Sequence, residues 1–326
     1  MKFIPIVSHM NPDGDAVGAV MGIYYFLRHK GLDAVPMLPD PAPERFRWMD
    51  EDSVILNFRE NEERITTLLS EAELIIALDF NNLSRIDAMA SVFRAAKARK
   101  VLIDHHLYPQ TECFDQVFST PDISSASELA FQILLDYCGN DISQIPFECL
   151  NALTAGMLSD TNSFNNSVFP STMRMAAMAI ENKVDLEELN RRLFHIHREE
   201  RVRMIGHCLL NAMVVRKDLE MAYVFIDKEI KRKFCYQKGD GDGLVNQLLD
   251  IPEVHYAIVL TEDPDRIRVS VRSKTGYSAQ KLCASKFNGG GHEKASGGHI
   301  RIAAAEVPAY VERSMAEYLK EMNADE

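Results

Sequence analysis

Residues 101–106 read Val-Leu-Ile-Asp-His-His, an apolar run that stops on one carboxylate and two imidazoles. Two earlier segments share that shape. The run 2–8 leads into His9-Met10-Asn11-Pro12-Asp13-Gly14-Asp15, and residues 74–78 (Leu-Ile-Ile-Ala-Leu) lead into Asp79. Short apolar runs bounded by polar residues read as buried strands. Around them lie stretches with apolar residues at helical spacing: 15–30, closed by Gly31, then 85–99, 127–138, 147–158 and 171–181. Strands alternating with helices predict an α/β fold with a parallel sheet. In such sheets the ligand crevice lies at the carboxyl ends of the strands. Three strand ends would therefore bring His9, Asp13, Asp15, Asp79, Asp104, His105 and His106 together. A helix ending in Gly156-Met157-Leu158-Ser159-Asp160-Thr161 offers a further carboxylate.

Taken singly, these features are ordinary. An Asp-x-Asp after a strand often caps a helix, and a His pair can lie on a surface. Together, that many carboxylates repel by several kcal/mol at about 4 Å unless cations intervene. Divalent ions remove the conflict. Carboxylate and imidazole without thiolate suit Mn²⁺ or a similar ion, and the set is large enough for two.

The second half reads differently. Residues 186–215 are rich in Arg, Glu and His and predict a helical connector, with His195, His197 and His207 outside any site. From Ala222 on, AYVFI, HYAIVL and IRVSVRS are β-rich, KLCASKF is a short helix, and 307–322 is a C-terminal helix. The expected organisation is a parallel-sheet domain (1–185), a connector (186–215) and a smaller mixed-sheet α/β domain (216–326). Met173, Met175 and Met178 read as core filler. Tyr277 and Phe287 read as core aromatics that could also stack a base.

The chain has 326 residues, 46% of them hydrophobic, and a formal net charge of −12. Residues 198–301 carry a net +4 and the remainder −16. An acidic body is a poor binder of long duplex nucleic acid. No apolar run reaches the ~18–20 residues of a membrane span. The N-terminal apolar stretch is too short for a signal peptide. Six scattered cysteines without a Cys-x-x-Cys pair argue against a zinc ribbon or a disulfide framework, and fit a cytoplasmic setting. The glycines near Gly14 and Gly18 do not form a dinucleotide fingerprint.

Six segments, in order, carry a family resemblance: HMNPDGDAVGA, ALDFNNLSR, VLIDHH, GMLSDTNSF, VSVRSK and FNGGGHEKASGG. They resemble the motifs of the DHH phosphoesterase superfamily with its DHH-associated C-terminal domain, in the RecJ-like, NrnA-type branch. The resemblance implies that His9 and Asp13 bind one metal ion, that Asp15, His105 and Asp160 bind a second, and that Asp79 bridges both. It implies two divalent cations, Mn²⁺ ahead of Mg²⁺ or Co²⁺. His106 would face the phosphate or leaving oxygen, with Asp104 orienting the histidines. Arg272, Ser273, Gly289, Gly290, Gly291 and His292 would bind the substrate phosphate, with Arg272 and His292 acting in catalysis. Arginine suits that task because its planar fork matches phosphate oxygens, and glycines let backbone N–H groups approach an anion.

The implied activity is two-metal hydrolysis of phosphate esters in short oligonucleotides, such as pApA, or in 3′-phosphoadenosine 5′-phosphate (pAp). Alternatives are a RecJ-like single-strand exonuclease, a pyrophosphatase or exopolyphosphatase-type hydrolase, and a non-catalytic nucleotide-binding regulator. A homodimer is the base-rate expectation. The sequence departs from the family pattern at Asn162, where Gly is common; Asn is the next-best residue for a left-handed turn. Ala19 and the Asp79-Phe80-Asn81 reading are smaller departures.

Overall fold

The computed structural model describes residues 3–324; Lys2 and the side chains of His292, Asn323 and Ala324 lie outside the described set. The chain forms two compact units, Met1–Ile196 and His197–Glu326.

The first unit runs β1 (Ile4–Val7), α1 (Gly14–His29), β2 (Ala34–Leu38), β3 (Leu56–Asn57), α2 (Phe58–Glu71), β4 (Leu74–Leu78), α3 (Met89–Ala95), β5 (Arg99–Asp104) and β6 (Gln116–Ser119). Helices α4 (Ala126–Tyr137), α5 (Phe147–Asp160), α6 (Pro170–Glu181) and α7 (Leu186–Asn190) follow. The six strands lie in the order β3-β2-β1-β4-β5-β6, all parallel. Successive residues of a strand face opposite sides of the sheet. Accordingly Ile6, Leu78 and Ile103 enter the core beneath α1, α4 and α5, while Val7, Ala77 and Leu102 enter the core beneath α2 and α3. Covering on both faces explains why these strands read as unbroken apolar runs rather than alternating ones. The chain leaves β1 toward β2 and β3, then returns to build β4 to β6 on the other side. That reversal opens a crevice between the ends of β1 and β4.

The second unit contains α8 (Glu199–His207), β7 (Met213–Arg216), β8 (Met221–Ile226), α9 (Lys228–Lys233), α10 (Leu244–Leu249), β9 (Tyr256–Glu262), β10 (Ile267–Ser273), α11 (Ala279–Lys286), β11 (Gly290–His292), β12 (Ala295–Ile300) and α12 (Val307–Ala324). Its sheet runs β11-β12-β10-β9-β8-β7 and is mixed: β8 and β9 are parallel, the other neighbours antiparallel. Alternation again sorts the side chains. Met221, Tyr223, Tyr256, Ile258 and Leu260 pack with α11 and α12, whereas Ala222, Val224, Ala257 and Val259 pack with α8 and α10.

Several expectations need correction. The helix expected over 85–99 is broken. Leu83–Ile86 is a 3-10 turn, Asp87 takes φ +45, α3 begins at Met89, and Arg99 already lies in β5. Ile86, Met89, Phe93 and Ala96 are buried at helical spacing, but apolar periodicity does not register a left-handed residue. The connector is not one body: the boundary between units falls at Ile196, and Met213 to Val215 belong to β7. In the glycine segment β11 and β12 pair as an antiparallel hairpin. Met175 is buried, but Met173 is 52% exposed. Phe287 is fully buried and Tyr277 stacks on His255 at 4.3 Å between ring centres, so Phe287 presents no face to a base. The cysteines are all free thiols. Among the described residues no helix is long and apolar enough to cross a membrane.

Candidate active site

Each site residue stands where its element ends. β1 stops at Val7; Ser8 ties this end to β4 by donating its hydroxyl to the Leu78 carbonyl at 2.7 Å, and His9 follows. Asp13 caps α1, accepting from the Asp15 and Ala16 amides at 3.1 and 3.0 Å, which satisfies donors that a helix start leaves open. Asp15, in the first turn of α1, is turned inward. Its carboxylate accepts the Ala126 and Ser127 amides at 2.7 and 2.9 Å, from the start of α4. Asp79 follows β4 with φ +62, a conformation costly for a non-glycine residue that cooperating contacts must maintain. His105 and His106 follow β5, and Asp160 ends α5.

These residues converge. His9 Nε2 lies 3.2 Å from Asp79 Oδ2 and 3.8 Å from Asp13 Oδ1. His105 Nε2 lies 3.5 Å from both Asp79 Oδ1 and Asp160 Oδ2. His106 Nδ1 lies 2.8 Å from Asp104 Oδ1 and 3.6 Å from Asp79 Oδ1. Asp79 thus sits between the first and third strand ends. Three triads have ligand atoms close enough to share an ion: His9, Asp13 and Asp79; Asp15, His105 and Asp160; Asp79, His105 and His106. The first two triads contain all six residues that the resemblance implied as metal ligands.

The electrostatics follow from crowding. Burial opposes ionisation of Asp79, but the facing imidazoles of His105 and His9 prevail and hold its carboxyl well below the usual range. Burial likewise opposes charge on His9 and His105. The facing Asp79 carboxylate outweighs it, lifting them to about 9 and about 10. Burial, then the charges of Asp79 and Asp160, raise Asp15. Burial pushes Asp160 up to about 7, with Asp79 adding to the shift and His105 opposing it. The negative charge is balanced by protons at the positions for which a divalent cation competes.

A metal fits this chemistry. Asp79 Oδ1 and Asp104 Oδ2 are buried without a hydrogen-bond partner, and an unpaired buried carboxylate oxygen is costly unless something positive meets it. The donors are oxygen and imidazole nitrogen only, which suits Mn²⁺ or Mg²⁺ better than a thiolate-seeking ion. Glycines allow the packing. A Cβ on Gly18 would stand 2.7 Å from the Ala152 carbonyl oxygen, and one on Gly156 would stand 3.0 Å from Asp15 Oδ1. Only glycine lets α1 and α5 approach closely enough to place Asp15 beside Asp160. Asn162 adopts φ +46, the left-handed turn that its residue type tolerates.

In the second unit, Arg272 and Ser273 end β10. Arg272 is half-buried and donates Nη1 to the Val271 carbonyl at 3.1 Å; burial lowers its pKa from the ordinary value. The Ser273 hydroxyl donates to the Tyr277 carbonyl at 2.7 Å and accepts the Ala279 amide at 3.1 Å. It holds the turn that leads into α11. A Cβ on Gly289 would collide with the backbone at Gly297 and Gly298, and Gly291 has φ +146. Those glycines are demanded by the tight hairpin itself. Gly290 has open space where a Cβ would be. The His292 backbone pairs with Ala295 in the hairpin, while its side chain is outside the described set.

Two residues without an assigned role in the sequence reading also touch the site. Arg85 Nη1 lies 2.7 Å from His106 Nε2. Asp40 accepts the Asn11 amide at 2.8 Å and pairs with Arg59, fixing the loop that carries His9 and Asp13. Arg85 stands six positions after Asp79, at the end of a quoted motif; nothing in the local sequence signals Asp40.

Comparison with known proteins identifies both domains. Residues 3–157 match the DHH family, N-terminal domain, and residues 220–324 match the DHHA1 domain. The crystal structure of an exopolyphosphatase-related protein from Bacteroides fragilis is similar at a TM-score of 0.92 and 36% identity, over 97% of this chain and 92% of that one. The bifunctional oligoribonuclease and PAP phosphatase NrnA of Bacillus subtilis is 28% identical over 302 residues, 90% of this chain and 87% of that protein. Its namesake from Thermus thermophilus is 25% identical over 305 residues, 91% and 84% respectively. The chain belongs to the DHH family, with a DHH domain in its first unit and a DHHA1 domain in its second.

Proposed function

We propose that this protein is a metal-dependent phosphoesterase that hydrolyses short oligonucleotides and pAp. The observation that carries the reading is the convergence of His9, His105 and His106 on the buried Asp79 carboxylate at 3.2 to 3.6 Å. Likeness along both domains to two enzymes named oligoribonuclease and PAP phosphatase supports the substrate class. On this reading the unit Met1–Ile196 is catalytic and the unit His197–Glu326 binds substrate, in the cytoplasm.

His9 and Asp13 would hold one divalent cation, Asp15, His105 and Asp160 a second, and Asp79 both. Such ions, most suitably Mn²⁺, supply Lewis-acid polarisation of the phosphoryl group and a nucleophilic water at neutral pH. The protein's own groups do the rest. Asp104 accepts from His106 Nδ1 and fixes the ring plane, so that the imidazole meets the leaving oxygen in one orientation. Arg272 offers a planar pair of donors for phosphoryl oxygens as charge develops. On the family resemblance, Gly289, Gly290, Gly291 and His292 would bind the substrate phosphate together with Arg272 and Ser273.

The test is a parallel assay with Mn²⁺ of pAp, a 5′-phosphorylated dinucleotide, a long single strand, pyrophosphate and polyphosphate. Rapid cleavage of the first two alone is expected. Preference for the long strand or for either polyphosphate would move the protein to another activity of the superfamily. Tight nucleotide binding without turnover of any of them would make it a regulator.

A further inference from the structure

Arg272 and the glycine hairpin of the second unit would supply cationic and backbone contacts to the phosphate. The first unit nevertheless holds a guanidinium at its own acidic centre. We propose that Arg85 binds the substrate's phosphate directly, as the anion-binding cation of the DHH domain. This inference rests on the phosphoesterase reading above.

The first argument is pairing. Arg85 is half-buried, and among the described residues it has no carboxylate partner, although Asp13, Asp15, Asp79, Asp104 and Asp160 crowd the same region. Its bond at 2.7 Å is to the Nε2 of His106, an imidazole whose other nitrogen is engaged by Asp104 at 2.8 Å. A guanidinium has five N–H donors and accepts nothing. An imidazole nitrogen uses one of them and provides no opposite charge. A half-buried cation left in that state is poised for an anion, and the planar fork is matched to phosphate.

The second argument is charge. The five aspartates bring five negative charges, and two divalent cations would return four. A phosphate dianion entering a site that is still negative meets net repulsion unless another cation stands close. Arg85 is the cation in hydrogen-bond contact with the Asp79–His105–His106 triad.

The third argument is preorganisation. Arg85 sits in the 3-10 turn Leu83–Ile86, which Asn82 caps by accepting the Ser84 amide at 2.8 Å. The Arg85 carbonyl accepts the Met10 amide at 2.7 Å, fastening the turn to the loop that carries His9 and Asp13. The Leu83 amide donates to Gln110 at 3.1 Å, fastening it to the segment after His105 and His106. The guanidinium is thereby held by the same loops that hold the metal ligands, which is what anion binding in place requires.

The experiment measures binding without turnover, on the full chain loaded with Mn²⁺. Adenosine 5′-monophosphate, inorganic phosphate and adenosine are titrated by calorimetry into the parent, Arg85→Ala and Arg85→Lys. Loss of a charge-assisted contact should weaken the two phosphate probes by roughly 10–100-fold. Arg85→Lys should recover part of that loss. Mn²⁺ stoichiometry, melting temperature and any affinity for adenosine should match the parent. Parent-level binding of both phosphate probes by Arg85→Ala would overturn the inference. So would a loss of Mn²⁺ together with phosphate, since that would make Arg85 a support for the metal-ligand loops rather than a phosphate contact. Turnover of pAp by the parent separately decides the phosphoesterase reading, so the two can fail independently.

Discussion

Gly156→Ala adds one methyl group inside α5, and that methyl should press directly on Asp15, a proposed metal ligand. The new Cβ would overlap Ser127 Oγ, stand 2.8 Å from Ser127 Cβ and 3.0 Å from Asp15 Oδ1. Both neighbours are buried, so neither can swing into solvent. Overpacking of this kind costs roughly 1–3 kcal/mol. Pushing Ser127 aside also strains the 2.9 Å bond from its amide to Asp15, and a hydrogen bond to a charged group contributes about 1.5–3 kcal/mol. Replacing glycine inside a helix returns about 1 kcal/mol. The balance is a loss of roughly 1.5–5 kcal/mol, or a melting temperature lower by at least about 3 °C. A displacement of Asp15 approaching 1 Å should lower turnover by about 100-fold. Ser127→Gly removes the two closest atoms but keeps the amide that binds Asp15. The pair Gly156→Ala/Ser127→Gly should therefore regain part of the lost kcat. Thermal melting and Mn²⁺-dependent hydrolysis of pAp measure all three variants. Parent-like melting and kcat in Gly156→Ala would show that the α1–α5 contact does not govern the position of Asp15.

Three further outcomes are expected. Asp79→Asn keeps the shape of the side chain and removes its charge; groups that merely orient ligands already matter 10–100-fold, so turnover should fall by more than about 100-fold, with weaker Mn²⁺ binding by calorimetry, and near-parent kcat would sink the shared-ligand assignment. Arg272→Ala should leave Mn²⁺ affinity unchanged and raise KM or lower kcat for pAp by roughly 10–100-fold; an effect on metal binding instead would place Arg272 outside phosphate recognition. Finally, His9 and His105 titrate near 9 and near 10 in the metal-free protein, above their ordinary values, so both are protonated at pH 7.5 and must release a proton to ligate an ion. Because burial also raises Asp15 and Asp160, Mn²⁺ titrations in buffers of different ionisation enthalpy should show at least two protons released at pH 7.5 and fewer once the pH passes 10. Heats independent of the buffer would contradict that ligand set.

Much of this molecule was written in local patterns. Apolar runs at 2–8, 74–78 and 101–103 announced buried parallel strands because both faces of such a sheet are covered. Their terminal Asp and His residues announced a site because strand ends in one sheet share an edge. The residues 85–99 misled because spacing reports which positions are buried, while Asp87 at φ +45 reports where the backbone turns. The exposed face of α6 misled in the same way at Met173, since methionine fills cores and tolerates surfaces alike. Residues 58–71 gave little signal, because α2 buries only Phe58, Ile65 and Leu69 in a charged stretch.

The residue types at the strand ends are legible without coordinates, and with them a site that is acidic, thiolate-free and suited to divalent ions. Tertiary structure alone decided which of them meet. The order β3-β2-β1-β4-β5-β6 sets His9 and Asp79 on neighbouring strand ends though they lie 70 positions apart. The glycine contact between α1 and α5 brings Asp15 to Asp160, and the turn at Leu83–Ile86 delivers Arg85 to His106. The physical reason is that ligand chemistry belongs to single side chains, whereas a site is a set of distances. Distances between residues remote in sequence are fixed only by strand order, close helix packing and backbone conformations that no local pattern of polarity records.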